Sequence, residues 1–211
     1  LPLQIIVSDY DDTKNNWDKY YSANWLNEKY NFAIIETLFK KDSKTDYQKK
    51  FVGLGDPILL SSEIFNELPN TTQELIDLAL ASGGKRNDLF LREDANYQNF
   101  RKIVQSNAER IVIASHAFAP SSLPITKESG IVLSTTDSSL NFITASEIAQ
   151  LNIDSDWVVL SACNTGFNSL DYSKNYSSLA KAFLAAGVDS VLISNWNLET
   201  NTSSIITKEI F

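Results

Sequence analysis

The 211-residue chain contains one cysteine, one histidine and no methionine. A lone thiol forms no internal disulfide and no multi-cysteine zinc site, so the core alone must hold the fold, which suits a reducing cytoplasm. One histidine gives no helix-borne His pair, and the carboxylates are scattered, so no metal is expected. Basic charge is also scarce: 18 Lys and Arg against 26 Asp and Glu give a net charge of -8. That balance opposes phosphate attraction, so no nucleic acid is expected as a direct partner; basic partners or plain solubility fit better. No apolar run approaches the roughly 18–20 residues of a bilayer span, and no basic region followed by a long apolar stretch opens the chain. It reads as soluble and cytoplasmic, with no membrane partner. Without a methionine, Leu1 is not a translation start, and residues 205–211 stop inside a helical pattern. The expectation is a piece of a longer multi-domain protein. Sequons at Asn70, Asn175 and Asn201 are what an Asn- and Ser/Thr-rich chain produces by chance.

What is present is 43% hydrophobic content in a length that suits one large domain. Short β-rich runs recur at Phe32–Ile35, Phe51–Leu54, Arg110–Ala114, Ile131–Leu133, Trp157–Leu160 and Val188–Ser194, and they read as buried strands. Between them, Thr71-Thr72-Gln73-Glu74 has the form of a capping box opening an apolar-periodic helix that Gly83-Gly84 closes. Residues 95–105 and 177–186 also read as helices, the second closed by Gly187. Strand and helix alternate, which predicts an α/β fold around a mainly parallel sheet covered on both faces. Residues 40–50 carry charge without an apolar face, and residues 117–129 combine prolines with serines; both read as surface loops. "GLGDP" at 53–57 reads as a strand-to-loop turn, since it lacks the third glycine and the Gly-Lys-Ser/Thr of a phosphate loop.

His116 directly follows the strand "RIVIAS", and Cys163 follows "WVVLSA" at the same offset. Ligands collect outside the carboxyl ends of strands in open α/β sheets, so neighbouring strands would present imidazole and thiol to one crevice. A thiol of pKa ~8.5 beside an imidazole becomes a thiolate nucleophile near neutral pH. The plainer reading is a buried cysteine and an ordinary histidine, and both readings stay open on these residues alone. After the cysteine, "CNTG" offers backbone amides and a glycine for a tight turn, which suits an oxyanion pocket or an ordinary strand-to-helix turn.

These segments resemble the CHAT domains, relatives of the separases, metacaspases and gingipains among the caspase-like cysteine peptidases. "ERIVIASHA" looks like the family's strand ending in the catalytic histidine. "FITASEIAQLNIDSDWVVLSACNTG" is similar to its helix, strand and catalytic cysteine, and "SLAKAFLAAGVDSVLISNWNLET" to the helix and strand that follow. "WLNEKYNFAII", "FVGLGDP" and "LPNTTQEL" resemble weaker landmarks upstream. The likeness spans roughly residues 25–211, leaving residues 1–24 as a lead-in. It implies a caspase-like three-layer α/β/α sandwich, with His116 as base and Cys163 as nucleophile, cleaving protein or peptide substrates without a cofactor. It also implies an oxyanion held by the backbone amides of Cys163 and Ala117. The family usually has glycine where Ala117 stands, and alanine fits there only if the backbone avoids positive φ. Relatives commonly accept Lys or Arg before the scissile bond. By that resemblance Ser161, Trp196, Asn197 and Glu199 fall around the substrate pocket, with Glu199 as its acid or, equally, as a helix-start carboxylate. Trp196 reads as a core or pocket-wall aromatic. Family resemblance further implies regulatory modules or partner proteins in the parent chain.

Two functions from different classes follow: a Cys163/His116 endopeptidase, or a CHAT-like module that has kept the fold as a protein-binding scaffold. A generic ester hydrolase is weaker, because no Gly-x-Ser-x-Gly elbow occurs.

Overall fold

The computed structural model describes residues 46–59, 64–120, 123–135, 140–161 and 178–193, with the backbone of 7–9 and 24–25. Two units separate by their contacts, residues 1–41 with 171–174 and residues 42–170 with 175–211. In the first, β1 (Val7–Asp9) and β2 (Asn24–Trp25) pair antiparallel. The strand expected at 32–35 lies outside the described residues.

The second unit runs β3 (Lys49–Pro57), α1 (Pro69–Ala81), β4 (Leu89–Arg92), α2 (Tyr97–Val104), β5 (Ala108–Ala114), β6 (Ala117–Phe118), β7 (Gly130–Leu133), β8 (Asn141–Thr144), α3 (Ala145–Ala149), β9 (Trp157–Leu160), α4 (Ser178–Ala185) and β10 (Ser190–Ile193). Five strands form a wholly parallel sheet in the order β10-β9-β5-β3-β4. Successive side chains of a strand point to opposite faces, so each central strand must feed two cores. Phe51, Val112, Ala114 and Val159 meet Leu75, Leu78 and Ala79 of α1 on one face. On the other face Val52, Leu54, Ile111, Ile113, Val158 and Leu160 join Phe100 and Ile103 of α2, Ile148 of α3, and Leu179 and Phe183 of α4. The result is an α/β fold of three layers, a mainly parallel sheet flanked by helices, consistent with a caspase-like fold.

The topology explains which helix lies where. The step β3-α1-β4 runs one way along the sheet, whereas β4-α2-β5 and the later crossovers run the other way. Right-handed crossovers then put α1 on one face and α2, α3 and α4 on the other. The direction reverses beside β3, so the connections leaving β3 and β5 go to opposite faces. A crevice at the carboxyl ends of those strands is the geometric consequence.

Local sequence accounts for most boundaries, with some corrections. α1 begins at Pro69, whose missing N–H is lost at no cost in a first turn. The expected capping box is absent: Leu68 is the N-cap, Thr71 Oγ1 donates to the Leu68 carbonyl at 2.7 Å, and Glu74 lies in the second turn facing inward. Gly84 N–H to Ala79 O (2.8 Å) and Gly83 N–H to Leu80 O (3.4 Å), with Gly83 at φ +72, close the helix as a Schellman motif. Asn96 caps α2 by accepting from Asn99 N–H. "GLGDP" is not a turn but the end of β3. A Cβ on Gly55 would stand 2.6 Å from both Leu75 Cδ1 and Ala114 O, so the glycine lets α1 lie close on the sheet. Lys49 and Lys50, assigned to a loop by their charge, start β3 with ion pairs to Asp88 (2.6 Å) and Glu109 (2.7 Å).

The run Ile131–Leu133 is a strand, but not of the parallel sheet. β6, β7 and β8 form a separate antiparallel sheet in that order. Its strand β6 occupies Ala117 and Phe118, the first two residues of the expected surface loop, and both are buried. Side chains of Ile131, Leu133, Ile143 and Ala117 enter the main core, whereas Val132, Phe118 and Leu123 form a small satellite cluster.

Candidate active site

Three side chains stand where strands of the parallel sheet end. Asp56 is near the end of β3, His116 lies two residues beyond β5, and Ser161 is the first residue beyond β9. β5 and β9 are immediate parallel neighbours, with Ile113 paired to Leu160. Counting from that pair, His116 is three residues on (116 - 113) and Cys163 is three residues on (163 - 160). Cys163, Trp196, Asn197 and Glu199 lie outside the described residues.

His116 is held from both sides in sequence. The Ser115 hydroxyl donates to the Val132 carbonyl at 2.6 Å, and the Val132 N–H donates to the His116 carbonyl at 2.8 Å. Val132 of central strand β7 thus holds the Ser115 side chain before the imidazole's own Cα and the His116 carbonyl after it. The ring is half-buried and lies against Phe65, with centroids 5.0 Å apart and planes 33° from parallel. Its Nε2 lies 2.6 Å from the carbonyl oxygen of Asn66. A carbonyl only accepts, so Nε2 carries the proton and, in the neutral ring, Nδ1 carries the lone pair. Burial lowers the His116 pKa from its usual 6.5, and the Asn66 hydrogen bond offsets part of that shift. The ring is therefore neutral, with a basic nitrogen, through the neutral pH range.

Ala117 pairs with Ile131 across β6 and β7, and Phe118 with Gly130. Because Val132 N–H already reaches the His116 carbonyl, Ala117 and Ile131 are a pair without mutual hydrogen bonds. The Ala117 N–H therefore points away from β7. Among the described residues, the non-glycine positions of positive φ are Asp56, Arg92 and Asn107. Ala117 is extended strand backbone that an alanine adopts without strain, which meets the condition set for it by the sequence.

Ser161 donates from Oγ to Glu74 Oε1 at 2.8 Å. Glu74 is 1% exposed, on the inward stripe of α1 with Thr71, Leu75 and Leu78. Nearby along the same helix, Thr72 Oγ1 donates to Asp56 Oδ2 at 2.8 Å, and Arg92 completes the group at 3.4 Å from Asp56 Oδ1. Asp56 (φ 51) and Arg92 (φ 56) both adopt left-handed backbone at the ends of adjacent strands. Among the described residues no group of three or more His, Cys, Asp and Glu side chains is arranged to hold a metal ion.

The family model of the CHAT domain matches residues 2–211. The chain belongs to the CHAT domain family. A comparison with curated proteins finds no match. CHAT domains are associated with caspase-like cysteine peptidases, and the parallel sheet of this CHAT domain agrees with that kinship. Among its described residues no helix is long and apolar enough to cross a membrane. Sequence reasoning singled out His116, Ala117 and Ser161, and it missed Asn66, Ser115 and Glu74. Asn66 acts through its backbone carbonyl, which every residue has, so no signal was there to find. Glu74 did leave one: its spacing from Thr71, Leu75 and Leu78 puts it on the apolar face of α1.

Proposed function

We propose that this CHAT domain is a cysteine endopeptidase with Cys163 as nucleophile and His116 as general base. The observation that carries the reading is the direct parallel pairing of β5 and β9, with His116 and Cys163 equally far beyond the Ile113–Leu160 pair. His116 Nδ1 takes the thiol proton, and the thiolate forms a bond to the carbonyl carbon of the scissile peptide. The carbonyl oxygen, now negative, accepts hydrogen bonds from the backbone N–H of Ala117 and of Cys163. As the C–N bond breaks, the imidazolium returns the proton to the leaving amine, and a thioester remains. Water, giving its proton to His116, then displaces the thiolate and releases the new carboxylate. Support for the base comes from its fixed tautomer and its lowered pKa, and support for the oxyanion donor from the outward Ala117 N–H.

The substrate in this reading is a protein cut after a basic residue, with Glu199 as the pocket acid and Ser161, Trp196 and Asn197 around it. Other modules of the parent protein regulate it. The test uses a peptidyl acyloxymethyl ketone carrying Lys at the position before the warhead. Wild-type protein is expected to be labelled, Cys163→Ala not at all, and His116→Ala about a hundredfold or more slowly. Labelling that persists in Cys163→Ala, or a wild-type rate in His116→Ala, overturns the dyad. Biological activity unchanged in Cys163→Ala would instead identify a binding scaffold.

A further inference from the structure

Helix α1 turns Thr71, Glu74, Leu75, Leu78 and Ala79 toward the sheet. Four of these suit an apolar layer, and Glu74 does not. Burying a carboxylate at such a position is unfavourable unless its charge is hydrogen-bonded, and a leucine there would pack better. One hydrogen bond that Glu74 accepts comes from Ser161, 87 residues away in sequence. Ser161 is the first residue past β9 and stands two before Cys163. The bond therefore joins a helix on one face of the sheet to the point where the chain leaves a central strand.

We propose that Glu74 is a positioning residue for the cysteine. By holding the Ser161 hydroxyl it sets the direction in which the chain leaves β9, and hence where the thiol two residues further on stands relative to the imidazole. The proposal rests on the cysteine-peptidase reading above. A bond that only anchored α1 would alter melting behaviour and leave the thiol's chemistry unchanged.

The only cysteine makes the test direct, because every alkylation event reports on Cys163. The rate of reaction with iodoacetamide is followed against pH in the intact protein. Wild type is expected to show a midpoint below the ~8.5 of a free thiol. Glu74→Leu, which keeps the apolar stripe packed, and Ser161→Ala are each expected to move the midpoint up toward ~8.5 and to slow alkylation near neutral pH about tenfold. Combining them should cost little more than either alone, since both break the Ser161–Glu74 bond. Glu74→Gln, whose amide oxygen still accepts from Ser161, should stay within about threefold of wild type. A folded Glu74→Leu protein with the wild-type midpoint, or losses that multiply in the double variant, overturns the positioning role. If Glu74→Leu does not fold, Ser161→Ala decides: a wild-type midpoint there overturns the role, and a raised one supports it. A wild-type midpoint already at ~8.5 overturns the positioning role, whereas wild-type protein that the peptidyl ketone does not label removes the peptidase reading itself, so the two failures are separated.

Discussion

The two sheets of the larger unit are held together differently. In the parallel sheet, β3, β5 and β9 are apolar on both sides and sandwiched between α1 and the group α2, α3 and α4. The antiparallel sheet has strands of two to four residues, and only one of its faces shares the main core; the other has just a satellite cluster. What it supplies is a set of directed hydrogen bonds, from Ser115 to the Val132 carbonyl and from the Val132 N–H to the His116 carbonyl. Hydrophobic burial builds the frame because it is strong and non-directional, and hydrogen bonding aims the imidazole because it is directional.

Breaking the frame should therefore cost far more stability than breaking the aim. Phe100 is fully buried in the main cluster. Its replacement by alanine is expected to cost about 3–5 kcal/mol, read as a lowered urea midpoint with an unchanged slope. Ser115→Ala removes one hydroxyl and leaves the Val132 carbonyl without that donor, an expected cost of about 1–2 kcal/mol. Its effect on labelling by the peptidyl ketone should be larger than its effect on stability, about tenfold or more, because the strand beside His116 loses its grip. A Ser115→Ala protein that is destabilised but labels at the wild-type rate would show that β7 braces the fold rather than the imidazole.

The smallest effect is in the pH dependence of stability. Burial lowers the His116 pKa, so on acidification the unfolded chain takes up its proton first, near 6.5, while the folded ring stays neutral. Unfolding is then favoured as pH falls below that value, and the loss levels off once pH passes the lower folded pKa. Urea midpoints at about pH 7.5 and about pH 5 should differ more for wild type than for His116→Gln. Equal differences would mean that the imidazole is not desolvated.

How much of the fold is legible in the sequence depends on the kind of signal. The central strands were readable because a buried parallel strand needs a continuous apolar run, and Arg110–Ala114 and Trp157–Leu160 are such runs. β4 is not legible as a strand, since "LFLR" is four residues between charged segments and its place in the sheet comes from pairing with β3. Ile131–Leu133 is legible as a strand, but nothing local distinguishes a parallel partner from the antiparallel ones it has. The turn assigned to "GLGDP" failed because Gly53 and Gly55 suggest a bend, whereas their role is to admit Leu75. For Glu74, capping-box spacing and core-face spacing coincide on one helix, and only the actual start at Pro69 separates them.

By itself the sequence determined the α/β alternation, the CHAT resemblance, and the placement of its only histidine just past a buried strand. Each of these is written in nearest-neighbour periodicity or in residue identity, which survive without coordinates. The tertiary structure alone decided that β5 and β9 are neighbours, that Asn66 orients the imidazole, that Ala117 is extended, and that Glu74 reaches Ser161. These are contacts between residues distant along the chain, several of them through backbone atoms common to all residues, so only folding could specify them.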